Sequence, residues 1–179
     1  MVSLPTRRSV FTLLLGLATS AAAWGGVAHA LPLQSWDTKI DNAKARFVVL
    51  RAFNDEAVLD KETQLLWQRR PSTSPLRAWG TANNFCHGAR TGGRGGWRLP
   101  SMEELTSLID PDQVSPPLPA GHPFDLSELA GDVWSASTVP GSDEAYTQDM
   151  INDGFLGSLD KTGHRATWCV RGGRGIEGQ

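Results

Sequence analysis

Residues 96–109 read GWRLPSMEELTSLI, and this stretch predicts a tight turn followed by a capped helix. Its glycine permits a backbone turn that other residues avoid, and Pro100 stiffens the chain before the helix. Ser101 and Glu104 have the spacing of a capping box, in which each side chain accepts a hydrogen bond from the other residue's backbone amide. Pro111 ends the predicted helix. The buried stripe of that helix follows at helical spacing and comprises Leu105, Leu108 and Ile109.

Two residues in this stretch have large side chains that the turn and helix do not require. We predict that Trp97 is a core anchor, because large aromatic side chains dominate core energetics. Arg98 precedes Leu99-Pro100 and has two alternative roles. It could bind a carboxylate or strand-end carbonyls inside the protein as a planar fork, or it could contact an anionic ligand. The sequence favours the internal fork, because the segment that follows is rich in carboxylates.

The remaining elements are placed by hydrophobic pattern and turn residues. A hairpin is predicted from strands 57–60 and 65–68 around Lys61-Glu62-Thr63-Gln64. A first helix is predicted to begin at Pro75 with Ser74 as its cap, and its inward face carries Trp79, Ala82, Asn83 and Cys86. Residues 145–151 and 155–159 flank Asn152-Asp153-Gly154, a predicted hairpin turn. Further strands are predicted at residues 46–51, 133–138 and 166–171.

Cys86 and Cys169 are the two cysteines of the 179-residue chain. An even cysteine count in an exported protein favours one disulfide. The alternative is a thiol nucleophile or a metal ligand, with His87 next to Cys86 in the chain. No CxxC or HxxxH spacing supports that alternative.

The first 30 residues have the pattern of an export signal. Arg7-Arg8 precedes an apolar run, and Ala28-His29-Ala30 is a small-x-small cleavage site. The arginine pair resembles a twin-arginine signal, and the alternatives are an ordinary Sec signal or an uncleaved anchor. We therefore expect a signal peptide at 1–30, an irregular lead-in at 31–45, one domain at 46–174 and a tail at 175–179. Periplasmic or secreted localisation follows, with no membrane span after signal cleavage.

Charge is distributed unevenly along the chain. Residues 101–160 contain twelve acidic and no basic residues, whereas residues 31–100 contain eleven basic and six acidic ones. The predicted mature chain carries a net charge of −4, with fifteen basic and nineteen acidic residues, which does not indicate nucleic acid binding. The two regions could form surfaces of opposite sign or neutralise each other within the fold.

Several short blocks recur in order from about Phe47 to Gly173: Val58-Leu59-Asp60, Thr63, Leu65-Leu66-Trp67-Gln68, Trp79 with Ala82 and Cys86, Gly92-Gly93, Trp97-Arg98-Leu99-Pro100-Ser101 with Glu104-Leu105, Leu108-Ile109-Asp110, Trp134-Ser135-Ala136-Ser137-Thr138, and Cys169-Val170-Arg171-Gly172-Gly173. Together these blocks closely resemble the Lcl C-terminal domain family, which is named for a domain of a collagen-like bacterial adhesin. Together with Trp168, their tryptophans are predicted to be core residues.

The resemblance implies an α+β fold with two helices and a twisted, mostly antiparallel sheet whose first and last strands come together. The Arg-Leu-Pro-Ser and Cys-Val-Arg segments also resemble sulfatase-modifying-factor domains and, more distantly, C-type-lectin-like folds. Gln64 stands where the family usually has glycine, and residues 53–57 are a weak version of its Gly/Asp-rich hairpin. No collagen-like tract precedes the domain.

The namesake adhesin implies binding to sulfated polysaccharides, which requires a concentrated basic surface. Candidate ligand contacts are Arg90, Arg94, Arg98 and Arg171, and Arg165 and Arg174 would join them if the ends of the fold meet. The alternative is that these arginines pair with the acidic segment.

Known catalytic and cofactor patterns are absent from the sequence. It contains no G-x-S-x-G elbow, HExxH helix or phosphate loop. Asp149, Asn152 and Asp153 leave a calcium site open, although a turn explains them as well. We expect no other cofactor. The leading hypothesis is an exported, non-enzymatic module that binds a carbohydrate or another cell-surface polymer. The alternatives are an assembly component that binds an envelope protein and an exported enzyme of unrecognised chemistry.

Overall fold

A computed structural model describes residues 39–172, which form an α+β fold of three α-helices, two short 3-10 helices (Arg51–Phe53 and Thr91–Gly93) and ten strands within that range. The predicted signal peptide, most of the lead-in, and residues 173–179 lie outside the described residues. The α-helices are α1 (Ala43–Arg46), α2 (Trp79–Gly88) and α3 (Met102–Thr106). The strands are β1 (Phe47–Val49), β2 (Ala57–Asp60), β3 (Leu65–Gln68), β4 (Ser72–Arg77), β5 (Trp97–Arg98), β6 (Asp132–Thr138), β7 (Glu144–Asp149), β8 (Leu156–Asp160), β9 (Arg165–Thr167) and β10 (Val170–Arg171).

The strands form two sheets, whereas the sequence predicted one. The first has the order β1-β2-β3-β10-β5 and the second β4-β9-β6-β7-β8. Every pairing is antiparallel except that of β6 with β9. The first and last strands share a sheet, but β10 lies between β3 and β5 and does not contact β1. The predicted final strand 166–171 is therefore two strands, one in each sheet.

The β2–β3 hairpin has the predicted bounds. Asp60 stabilises its turn, because its carboxylate accepts hydrogen bonds from the Glu62 amide and the Thr63 hydroxyl. The same carboxylate forms a buried fork with Arg46, with Nε–Oδ1 and Nη2–Oδ2 distances of 2.9 and 2.7 Å. Gln64 closes the turn at a φ of 60°, in the left-handed region. That conformation favours glycine, which explains why glycine is usual at this position in the family that the chain resembles.

The first predicted helix begins four residues later than expected. Residues 72–77 form β4, which pairs with β9 through Ser72–Thr167 and Arg77–Arg165, and α2 begins only at Trp79. Pairing with a distant strand therefore overrides the local cap signal at Ser74. The second predicted helix is present with both bonds of its capping box, but it ends at Thr106 and not before Pro111.

The core consists of two clusters of buried side chains. One is built on the tilted pair Trp67–Trp168, with Phe124 packed edge-on against Trp168 at 5.0 Å between ring centroids. The other contains Trp97, Trp134 and the disulfide. Trp67, Trp97, Trp134 and Trp168 are at most 1% exposed, as are Leu99 and Leu105. Trp79 is half-buried and donates its indole N–H to the Ser135 carbonyl.

Cys86 and Cys169 form a disulfide with a Cα–Cα distance of 5.5 Å, which confirms the predicted pairing. The bond joins α2 to the segment between β9 and β10. Neither cysteine is a free thiol, and residues 39–172 contain no other cysteine. The alternative of a thiol nucleophile or a metal ligand is therefore wrong.

Candidate functional site

Arg98 forms the planar fork that the sequence favoured. Its guanidinium donates to both oxygens of Glu104 at 2.7 and 2.6 Å, and to the carbonyls of Leu99 and Gly172. Glu104 also accepts the Ser101 amide, so one carboxylate serves both the fork and the capping box. The fork ties β5, the start of α3 and the end of β10 together. Its guanidinium is occupied by internal partners, so it offers little to a ligand.

Arg94 and Arg171 converge on one aromatic ring. Their guanidinium carbons lie 4.8 and 5.7 Å from the centroid of the Phe53 ring, distances typical of cation–π contacts. Arg94 is exposed and Arg171 is half-buried, while Phe53 beneath them is 6% exposed. We call Phe53, Arg94 and Arg171 the arginine face. The two cations are 77 residues apart in the sequence, and the fold brings them together.

The glycine-rich loop holds this face in place. Gly92 has a φ of 60°, and a Cβ atom at this position would lie 2.5 Å from the Phe53 backbone. Only glycine therefore allows the loop to pack so closely on the segment Arg51–Phe53. The Gly92 amide also donates to the Glu56 carboxylate at 2.6 Å, which fixes the loop against the start of β2.

The arginine face carries no compensating carboxylate. Within residues 39–172, Arg94 and Arg171 form no salt bridge. Arg90 likewise pairs with no acid there and donates to the Gly88 and Ala89 carbonyls. Arg165, by contrast, contacts Asp132 at 3.3 Å on the second sheet. The predicted arginines therefore divide into paired and unpaired groups, and Arg174 lies outside the described residues.

An open cleft of about 460 Å³ adjoins the arginine face. We call it the polar cleft, and its lining consists of Asp55, Glu56, Gln68, Arg69, Arg70, Thr91 and Asp125. Gln68 forms its buried floor: the side chain donates to Thr91 Oγ1 at 2.7 Å and accepts the Cys169 amide. Asn54 and Asp55 both adopt left-handed backbone conformations, which Asn and Asp tolerate better than most residues. Their turn carries the Asp55 side chain at the rim.

One wall of the cleft is an ion pair. Asp125 bonds to Arg70, and its other oxygen accepts the amide and hydroxyl of Ser127. The bonds from Ser127, followed by those from Arg70, lower the pKa of Asp125 to about 2. The partnership with Asp125 also raises the pKa of Arg70. Both groups are therefore charged at neutral pH and largely neutralise each other.

The calcium candidates Asp149, Asn152 and Asp153 lie in the connection between β7 and β8. Asp149 accepts the amides of Ile151 and Asn152 and the Asn152 side chain, while Asp153 accepts the Phe155 amide. The two strands pair as the predicted hairpin, but six residues separate them, so the loop is longer than the predicted Asn-Asp-Gly turn. Residues 39–172 contain no group of three or more His, Cys, Asp or Glu side chains that could hold a metal. A calcium site at this loop stays a prediction.

The sequence that forms most of these elements matches a known domain family. A family model described as the Lcl C-terminal domain matches residues 56–171. The chain belongs to the Lcl C-terminal domain family. No curated protein matches it. Membership indicates an adhesin-like exported module, and together with the disulfide it indicates an extracellular or periplasmic location. No helix within residues 39–172 is long and apolar enough to cross a membrane.

The residues that the chain shares with the Lcl C-terminal domain family mostly build the scaffold. The polar cleft was not predicted from the sequence. Trp97-Arg98-Leu99-Pro100-Ser101 and Glu104 supply the fork and the capping box, while Cys169-Val170-Arg171 supplies the disulfide and one arginine of the face. The cleft comes from four separate segments of the chain. Its one local signal was Arg69-Arg70, a pair of charges directly after a buried strand.

Proposed function

We propose that this protein is an exported, non-enzymatic module that binds a polysaccharide at a cell surface through the arginine face. The observation that carries the proposal is the convergence of Arg94 and Arg171 on Phe53 with no carboxylate partner in residues 39–172. Two guanidinium groups held by one ring lose little conformational freedom when they bind sulfate or carboxylate groups. The proposal includes a signal peptide at 1–30 and periplasmic or secreted localisation.

The negative net charge of the chain is an argument against a polyanionic ligand, and the unpaired arginines weaken that argument. The negative net charge of the chain opposes such a ligand at long range, but screening limits that repulsion to about 8 Å at physiological salt. At contact distance the ligand meets two cations that form no salt bridge within residues 39–172. The distant likeness to sulfatase-modifying-factor and C-type-lectin-like domains remains part of this proposal, as a relationship of fold.

The test is binding of the purified protein to immobilised dextran sulfate, with uncharged dextran as the reference surface. Because each arginine can donate charge-assisted hydrogen bonds to sulfate, we expect Arg94→Gln/Arg171→Gln to weaken binding by at least about tenfold at low salt. Lys44→Gln/Lys61→Gln is the matched control: it removes the same charge from two exposed positions near the opposite end of the β2–β3 hairpin. Equal losses in both variants would show a general charge effect and contradict the proposal.

An envelope protein partner is the second candidate, and exposed apolar residues favour it. Val114 and Phe155 are 74% and 69% exposed, and a hydrogen bond from the Ser115 amide to the Asn152 carbonyl joins their loops. Large exposed apolar patches mark protein interaction sites, and these two side chains are the candidates for one. If this candidate is right, Phe155→Ser abolishes crosslinking to an envelope protein while dextran sulfate binding is unchanged.

A further inference from the structure

The polar cleft has a chemistry different from that of the arginine face. Three carboxylates and two guanidinium groups line it, and Asp125 with Arg70 accounts for one of each. The other charged groups of the lining are the carboxylates of Asp55 and Glu56 and the guanidinium of Arg69. The Glu56 carboxylate accepts the Gly92 amide, whereas the Asp55 carboxylate has no hydrogen-bond partner within residues 39–172. The cleft thus has an excess of one negative charge.

This excess makes the cleft unsuitable for sulfate or carboxylate groups but suitable for hydroxyl groups. An anion placed there would lie beside free carboxylate oxygens, and like charges at close range are unfavourable. A sugar hydroxyl both donates and accepts hydrogen bonds. It can donate to Asp55 and accept from Arg69, whose guanidinium within residues 39–172 donates only to the carbonyls of Pro123 and Asp55, at 3.2 and 3.5 Å. The volume of about 460 Å³ lies within the range of small-molecule sites.

The cleft and the arginine face are neighbours across a single turn. The Arg94 amide donates to the Thr91 carbonyl at 3.2 Å, so the turn that carries Arg94 begins at the cleft residue Thr91. A turn of this kind brings its first and last Cα atoms within about 7 Å of each other. Glu56 also links the two places, because it lines the cleft and holds the amide of Gly92, which packs on Phe53. A linear polymer can therefore contact both places with consecutive sugar units.

We propose that the polar cleft binds an uncharged, hydroxyl-bearing sugar unit next to an anionic unit held by the arginine face. The inference rests on the proposed function and specifies its ligand class: a polysaccharide in which neutral and anionic sugars are neighbours. A polymer with a sulfate on every sugar engages the arginine face but leaves the cleft empty.

The experiment compares two probes against the same variants. A hyaluronan hexasaccharide alternates a carboxylate-bearing sugar with an uncharged one, whereas dextran sulfate places charge along the whole chain. Asp55→Asn is the cleft variant, because asparagine tolerates the left-handed backbone of Asp55 and removes only the charge. Arg94→Gln/Arg171→Gln is the variant of the arginine face. Thermal unfolding of each variant checks that the fold is retained.

We expect Asp55→Asn to weaken hyaluronan binding about fivefold, which corresponds to exchanging a charge-assisted hydrogen bond for a neutral one. The same change should leave dextran sulfate binding unchanged or strengthen it, because the cleft becomes less negative. Opposite or unequal effects on the two probes cannot arise from general unfolding. The arginine variant should weaken the binding of both.

Two results separate the inference from the function on which it rests. If dextran sulfate binding depends on Arg94 and Arg171 while Asp55→Asn changes neither probe, the proposed function stands and the cleft inference is overturned. Equal weakening of both probes by Asp55→Asn likewise overturns it. If the purified protein binds neither probe, the proposed function itself fails and the ligand class fails with it.

Discussion

Replacing Arg98 by lysine tests whether its fork is a structural link or a ligand contact. The guanidinium donates two bonds to Glu104, at 2.7 and 2.6 Å, and further bonds to the carbonyls of Leu99 and Gly172. Its side chain is 25% exposed and that of Glu104 is 13% exposed, so water screens the pair only in part. Lysine keeps the charge but cannot reproduce the planar fork.

The expected loss of stability follows from the bonds that lysine cannot make. A hydrogen bond to a charged group contributes about 1.5–3 kcal/mol, and lysine can retain part of the Glu104 contact. We therefore expect Arg98→Lys to lower the free energy of unfolding by about 2 kcal/mol, or the Tm by roughly 6 °C for a domain of this size. Because the pair is mostly buried, the loss should change little between about 0.05 and 0.5 M salt.

Chemical denaturation of Arg98→Lys, Glu104→Gln and the double variant measures the coupling between the two side chains. Arg165→Lys is the control, because its single 3.3 Å contact with Asp132 has no fork and is half-exposed. A free energy of unfolding equal to that of the unchanged protein, combined with a salt-sensitive loss of polysaccharide binding, would refute the internal role and place Arg98 in the ligand site.

Two further predictions concern the disulfide and a half-buried histidine. Cys86→Ser/Cys169→Ser opens a covalent loop with a sequence separation of 83, so denaturation should show a loss of up to about 4.5 kcal/mol, and an unchanged midpoint would contradict the loop-entropy argument. Burial lowers the pKa of His122 below 6.5, and its Nδ1 accepts the Phe124 amide. The unfolded chain therefore binds the proton first, so stability is complete above pH 6.5 and falls as the pH drops below it. His122→Asn retains an acceptor for that amide and should reduce this pH dependence, as followed by unfolding midpoints between pH 7 and the acid range; an identical pH profile in the variant would show that another group is responsible.

Local sequence signals predicted the features that depend on a few neighbouring residues. The bounds of β2 and β3, the capping box of Ser101 and Glu104, and the burial of Leu105 and Leu108 all agree with the structure. Each depends on hydrogen bonds or side-chain periodicity within a few positions along the chain. The disulfide was also predictable, because two cysteines in an exported chain allow one intramolecular pairing.

The tertiary structure decided where long-range pairing competes with local preference. Residues 72–77 form a strand that pairs with β9, although Ser74 and Pro75 are typical of a helix start. The final strand divides at Trp168-Cys169, where the Trp168 indole donates to the Gln68 carbonyl and the disulfide holds Cys169. These contacts direct β9 and β10 into different sheets. The hydrophobic pattern of residues 165–171 does not indicate that this segment divides between two sheets.

The candidate site depends on tertiary structure most of all. Arginine content alone left two outcomes open: pairing with the acidic segment or convergence into a cationic surface. Arg98 and Arg165 pair with carboxylates of the acidic segment. Arg94 and Arg171 instead converge on Phe53, which comes from a third segment. The sequence by itself determined the family, the disulfide and the local elements, since these follow from short motifs and composition. The packing of distant segments determined which charges remain free to bind a ligand, because a charge is neutralised only by the groups that the fold brings within a few ångströms of it.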